Sequence, residues 1–295
     1  MARLLNKNWF ILVGLIAHQM AWAIDLQPGD VTAPKPDIQI MQVSYWNSEK
    51  GAYYSNNQTL YPNTKINTEQ VLVRYGRSFE LGSLPTFAYI QAPTGSISPK
   101  GMLASLPGDS GIGDTTVAAG IWPYANRDTN TYFAVGAYLT APTGSYSKDR
   151  LMNVGQNRYF TALQAGYQMS PARQWHWMQA VDVVWFGENT ESKSAAPGGI
   201  IGSLKQKNLY TYQTGLLYEF NKTYSVAGNY IYSVGGETSF NGAMNNDMTQ
   251  VQRYQLSAVA MFPVGKFTLQ WGKDMTTKNG YFENSRLIVR YTNYF

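Results

Sequence analysis

The stretch 210-YTYQTGLLYEF-220 decides the fold. Tyr210, Tyr212, Leu216, Tyr218 and Phe220 share one parity, with Thr214 among them, while Thr211, Gln213, Gly215 and Glu219 share the other; Leu217 is the one large exception. Only a strand separates these two sets, because its side chains alternate between faces at every residue. Tyr224–Val234 repeats the pattern, with Tyr224, Val226, Tyr230 and Tyr232 opposed by Ser225, Ala227, Asn229 and Ser233. Asn221-Lys222-Thr223 leaves room only for a tight turn, so the two segments form a hairpin.

Working outward, similar alternation predicts strands near Ile38–Tyr45, Asn67–Tyr75, Leu84–Ala92, Asp114–Tyr124, Tyr132–Ala141, Tyr159–Met169 and Trp177–Phe186. Tyr254–Phe262, Lys266–Met275 and Arg286–Phe295 follow. With the hairpin this makes about twelve, and single-chain bacterial barrels have even strand numbers. The connections alternate in length. Short ones fall around Phe79–Gly82, Ala125–Asn130, Ser170–Trp175, Asn221–Thr223 and Pro263–Gly265. Long polar ones fall around Asn47–Lys65, Pro93–Gly113, Pro142–Arg158, Gly187–Lys207, Gly235–Gln252 and Thr276–Ser285. Short periplasmic turns and long extracellular loops are the asymmetry of outer-membrane barrels. The fold class is therefore all-β: a single transmembrane, antiparallel, up-and-down β-barrel with both termini in the periplasm. A soluble β-sandwich also has short strands and turns. It does not account for the loop alternation or for aromatics at strand ends.

Composition agrees. Aromatic residues reach 14%, with 22 Tyr, and charged residues only 14%, yet mean hydropathy is −0.30. Strands with one face in lipid and the other in a wet lumen reconcile an aromatic-rich chain with a polar average.

The N-terminus reads as a secretory signal. Arg3 and Lys7 precede the apolar run Trp9–Ala17, too short to span a bilayer, and Ala21-Trp22-Ala23 is an A-x-A cleavage site. Residues 1–23 are thus expected to be cleaved, 24–37 to form a proline-bearing periplasmic lead-in, and 38–295 to form the barrel. Removing two basic residues leaves 21 against 18 acidic ones, a net +3 too balanced and scattered for nucleic acid. Cysteine is absent, which excludes disulfides and thiolate metal sites.

If the aromatic and aliphatic faces meet lipid, the opposite faces supply the lumen: Arg74, Gln164, Gln168, Asp182, Gln213, Glu219, Asn229, Gln270, Asp274 and Arg290. The reverse assignment would place arginines in hydrocarbon, at roughly 2–4 kcal/mol each at mid-membrane. Glu219, Asp182 and Asp274 are the expected counter-charges for Arg74 and Arg290. The Gly/Ser/Pro-rich second and third long loops are candidates to fold inward and narrow the passage. No catalytic constellation is expected. His176 is the only histidine beyond the signal, and it sits beside Trp175 and Trp177 in what reads as an interfacial aromatic belt. Asp247, Asn245 and Asn246 lack EF-hand spacing, and Gly111-Ile112-Gly113 lacks the rest of a dinucleotide fingerprint. No cofactor is implied. In the last strand Leu287, Val289, Tyr291 and Phe295 share a face, and Phe295 ends the chain. Tyr291 and Phe295 resemble the C-terminal signal read by the barrel assembly machinery; Asn293 departs from it.

Three places carry a family resemblance: IDLQPGDVTAPKPDIQIMQVSYW at residues 24–46, GIGDTTVAAGIWPY at Gly111–Tyr124, and Ala141–Tyr146 (APTGSY) followed by Asn153–Arg158 (NVGQNR). Together with the terminal strand they resemble the outer-membrane family named for the meta-pathway of phenol degradation. The resemblance implies a Gram-negative outer-membrane channel for passive uptake of small hydrophobic or aromatic compounds, embedded in the lipid bilayer. The alternative is a structural or surface-interaction barrel with a plugged lumen. The two PTGS copies, Pro93–Ser96 and Pro142–Ser145, also have a plain reading as strand exits, with proline ending a ladder and glycine permitting a turn.

Overall fold

The computed structural model describes residues 26–194 and 198–295; the expected signal peptide and its cleavage site lie outside them. Twelve long strands form the wall: β1 Gln39–Ser55, β2 Thr64–Leu81, β3 Leu84–Gly101, β4 Thr115–Asn126, β5 Thr131–Ala141 and β6 Phe160–Ala172, then β7 Trp175–Phe186, β8 Leu209–Glu219, β9 Tyr224–Gly235, β10 Thr249–Phe262, β11 Gly265–Thr277 and β12 Gly280–Tyr294. Each pairs antiparallel with its sequence neighbours, and β12 pairs with β1 from Ile40↔Tyr294 to Tyr54↔Gly280, closing the barrel. The last residue continues this seam, since Phe295 and Gln39 exchange backbone hydrogen bonds.

The alternation in the sequence settles the faces. Val43, Val73, Ile90, Leu163, Leu216, Leu269 and Val289 are exposed on the outer wall, while their strand neighbours point inward. Aromatic rings form a girdle at the short-turn end. Trp175, Tyr218 and Phe220 stack in series, as do Tyr224, Phe262, Phe267 and Tyr291.

Three expectations change. The predicted sixth long loop, Thr276–Ser285, is a tight turn, because β11 and β12 run on to Thr277 and Gly280. The first long loop is likewise mostly strand, with Gln58–Tyr61 folding back on β1 around Asn56 and Asn57, both in the left-handed region. The wall from β11 round to β3 therefore rises above the rest. The first PTGS copy does not end its strand either, as β3 pairs with β2 straight through Pro93. What Pro93 interrupts is the other ladder. Pairing with β4 stops at Gln91↔Thr116 and resumes with Asp109–Ile112 at Thr94, since proline has no N–H to give. The second copy does mark an exit, just after Ala141.

Two carboxylates lock the second and third long loops over the barrel. Asp114 accepts the Gly144 N–H at 2.9 Å and the Gln156 N–H at 2.8 Å. Asp109 accepts the Val154 N–H at 2.9 Å and a guanidinium hydrogen bond from Arg150. The loops cross so closely that a Cβ on Gly155 would lie 2.7 Å from the backbone of Gly144. The motifs GIGD, PTGS and NVGQ are thus one interlocking unit. Replacing Asp114 with alanine leaves two half-buried donors without their acceptor, at roughly 1 kcal/mol each. The expected outcome is a barrel that still assembles but whose third loop is cut by trypsin at Lys148 or Arg150 about tenfold faster; unchanged cleavage would contradict the lock.

Candidate functional site

The lumen is filled from both ends around a central cavity. From the short-turn end residues 26–34 enter the barrel, where a lead-in outside it was expected. Its polar backbone is met by wall side chains. Gln213 Oε1 accepts the Leu26 N–H at 2.7 Å and Asn229 Nδ2 donates to the Leu26 carbonyl at 2.9 Å. Lys266 Nζ donates to the Pro28 carbonyl at 2.9 Å and Trp122 Nε1 to that of Val31 at 2.7 Å. Arg127 donates to the carbonyls of Ala33 and Pro34. Leu26, Val31 and Ala33 are buried against Trp122, Tyr132, Met178, Leu217 and Ala227.

At the other end Tyr53, Ile66, Ile97 and Tyr281 on the raised wall pack with Leu103 from the second loop and Met152 and Val154 from the third. The expected inward loops are therefore present, and they form an apolar cap. Beside it runs a charged network. Arg253 bonds Asp274 and Glu283, each at 2.8 Å, and Arg286 bonds Glu283 at 3.0 Å.

Between plug and cap lies a cavity of about 290 Å³, roughly twice the ~150 Å³ that suffices to hold benzene in an apolar protein interior. Its wall is aromatic and amide-rich: Trp46, Phe87, Tyr89, Trp122, Tyr138, Phe160 and Phe186, with Gln42, Gln70 and Gln91. Arg74 lies over the Tyr89 ring at 4.2 Å and donates twice to Gln91 Oε1. Arg290 donates to Gln270 Oε1 at 2.9 Å and to Ser44 Oγ at 3.2 Å. Asp30, on the plug, lines the same space with Gln27. Its side chain is exposed to the lumen, yet the wall encloses it on all sides. That enclosure pushes its carboxyl above the ordinary range, against the pull of Lys266, Arg74 and Arg290.

Of the ten candidates from the sequence, Arg74, Gln270 and Arg290 line this cavity. Gln213 and Asn229 hold the plug, as does Gln168, which accepts from Thr32 Oγ1 at 3.2 Å. Asp182 Oδ2 accepts from Gln213 at 3.3 Å, and Gln164 accepts from the Tyr138 hydroxyl at 3.0 Å. Asp274 belongs to the upper network. Glu219 faces inward at the rim but is exposed, 3.4 Å from His176 Nε2. Asp30 lines the cavity with Arg74 and Arg290, and none of the three expected carboxylates does. His176 is not part of the aromatic belt: Trp175 and Trp177 are exposed outside, whereas His176 is buried inside, with Nδ1 2.6 Å from Ser170 Oγ. Asp247 caps Thr238, accepting from its N–H and hydroxyl at 2.8 and 2.6 Å. The aromatic lining was missed because aromatics were assigned to lipid. Tyr138 does share the small and polar parity of Tyr132, Ala134, Gly136 and Thr140, a signal that it points inward.

A closed barrel with an apolar outer wall, a polar inner wall and an enclosed cavity has the architecture of an outer-membrane channel of a Gram-negative bacterium. A family model described as the MetA-pathway of phenol degradation matches residues 50–291, and the chain belongs to that family. It is similar to the COG4313 outer membrane channel from Pseudomonas putida F1, with a TM-score of 0.86 and 26% identity over 92% of this chain and 100% of that one. The translocator domain of the autotransporter NalP from Neisseria meningitidis gives a TM-score of 0.55 at 10% identity, over 91% of each chain. The beta domain of the Bordetella autotransporter BrkA gives 0.52 at 9%, over 88% and 100%. These two share the barrel fold. No curated protein matches the chain.

Deleting residues 26–33 removes the plug and leaves the wall ladders intact. Single-channel conductance in planar bilayers is expected to rise several-fold, while unboiled protein still migrates differently from boiled protein on a detergent gel. Equal conductance in an assembled variant would show that the plug does not set the resistance.

Proposed function

We propose that the protein is a channel for passive uptake of small hydrophobic or aromatic compounds, and that the central cavity is where the solute halts on the way in. The aromatic cavity between two apolar covers carries this reading. A water-filled pore for sugars or ions has no use for a cap built from Ile66, Ile97, Met152 and Val154, whereas an apolar solute partitions into such surfaces at roughly 25 cal/mol per Å² buried. The family's link to phenol degradation and the likeness to an outer membrane channel from Pseudomonas putida F1 support this reading.

The test uses whole cells, where the lipopolysaccharide leaflet slows apolar solutes. Cells carrying the protein should take up labelled phenol or toluene several-fold faster than cells lacking it, with little change for a sugar of similar size. Equal aromatic uptake in the two strains would overturn the proposal. A marked gain for the sugar alone would favour a general porin.

The plugged-lumen reading shares the observation of the N-terminal segment but leaves the cavity without a role. The remaining partner in this proposal is the assembly machinery, engaged through the terminal strand. Phe295 is exposed at the girdle, and Tyr291 packs on Phe267 at 4.9 Å with its hydroxyl donating to the Val264 carbonyl at 2.5 Å. Deleting Phe295 removes little buried contact, so the expected effect is a several-fold lower yield in the outer membrane, read by blotting fractionated cells, with unchanged heat-modifiability of the protein that does insert. A normal yield would assign the signal elsewhere.

A further inference from the structure

Asp30 occupies an unusual position. It is carried by the plug, not by the wall, so it is the one element of the cavity's electrostatics that leaves if the plug moves. Arg74 from β2 and Arg290 from β12 line the same cavity, and their charges and that of Lys266 from β11 act on its carboxyl. The two arginines bracket β1: Arg74 is paired with Gln42 and Arg290 with Ser44, and Gln42 donates to Ser44 at 3.1 Å. They stand two strands apart, about 10 Å across the ladder, within convergence distance for two extended guanidinium arms. Uncharged side chains orient both: Gln91 holds Arg74, and Gln270 and Ser44 hold Arg290. Both arginines and Asp30 thus line one cavity, beside the rings of Phe87, Tyr89, Trp122 and Tyr138.

We propose that the cavity binds small aromatic acids, the ring against these aromatic side chains and the carboxylate drawn to the guanidinium groups of Arg74 and Arg290, in the cavity that Asp30 also lines. Guanidinium–carboxylate pairs are among the strongest hydrogen-bonded contacts, and a ring beside them adds edge or offset stacking. Asp30 lines the same cavity, so its charge competes with the acid group of the solute for the two arginines. This rests on reading the cavity as the solute site and narrows the class of solute.

The experiment is calorimetric titration of the purified full chain in detergent with benzoate, benzamide and toluene. Benzoate and benzamide have nearly the same shape and differ in charge. Benzoate should bind at least tenfold more tightly than benzamide. R74Q and R290Q should each abolish that preference and leave toluene binding intact. D30N should tighten benzoate several-fold by removing the competitor, and decides the matter alone if the arginine variants do not assemble. Benzoate binding no tighter than benzamide, a preference that survives in both arginine variants, or a D30N variant with unchanged benzoate affinity overturns the proposal. If toluene and benzamide bind and benzoate holds no advantage, this inference fails and the uptake reading stands. If none of the three binds, both fail.

Discussion

Every backbone N–H and C=O that crosses lipid must find its partner within the protein, and the pairing of β12 with β1 is where this chain meets that requirement. Without that seam two strand edges would face hydrocarbon. With it, each strand has a neighbour on both sides, and the wall becomes a surface on which side chains are free to specialise. The outer parity carries valine, leucine and tyrosine. The inner parity carries Gln42, Ser44, Gln70, Thr211, Gln213, Ser257, Thr268 and Gln270, most of them nearly inaccessible.

An inner wall of this polarity imposes a second requirement. Buried amides and charges cost free energy unless hydrogen-bonded, and twelve strands leave too narrow an interior for bulk water to serve them all. The chain supplies the partner itself. The plug presents carbonyls at Leu26, Pro28, Val31, Ala33 and Pro34 to Asn229, Lys266, Trp122 and Arg127. Prolines at 28, 34 and 36 suit this role, because each removes a backbone donor that the lumen would otherwise have to satisfy. The plug's apolar side chains, Leu26 and Val31, then fill the spaces between.

Period-two alternation exposed all twelve strands and their faces, because lipid on one side and a polar interior on the other write opposite chemistry onto successive residues. Strand ends above the membrane were not legible. Beyond the bilayer polar residues appear on both faces of β1, β2, β11 and β12 and break the alternation, so Ser48, Asn67 or Asn284 reads as loop although the ladder continues. The candidate site was half legible. Arg74, Gln270 and Arg290 follow from parity alone, but Asp30 does not: a segment with no periodicity carries no sign of whether it lies in the periplasm or in the barrel. The roles of Gln168, Gln213 and Asn229 were hidden for the same reason, since their partners belong to that segment.

The two covers of the cavity differ in kind, and the difference bears on direction. The outer cap joins loops that are themselves locked by Asp109 and Asp114, and it sits beside the Arg253–Asp274–Glu283–Arg286 network, which keeps the mouth charged around an apolar centre. The inner plug has no ladder of its own. Single hydrogen bonds from individual side chains hold it, each contributing about 0.5–1.5 kcal/mol net, together with a small apolar contact. Opening inward therefore breaks side-chain contacts and no backbone ladder, whereas opening outward also separates loops tied to one another. A solute that has passed the rigid cap meets a cover that yields, so the easier exit from the cavity lies toward the periplasm, and gating by displacement of the plug requires no rearrangement of the wall.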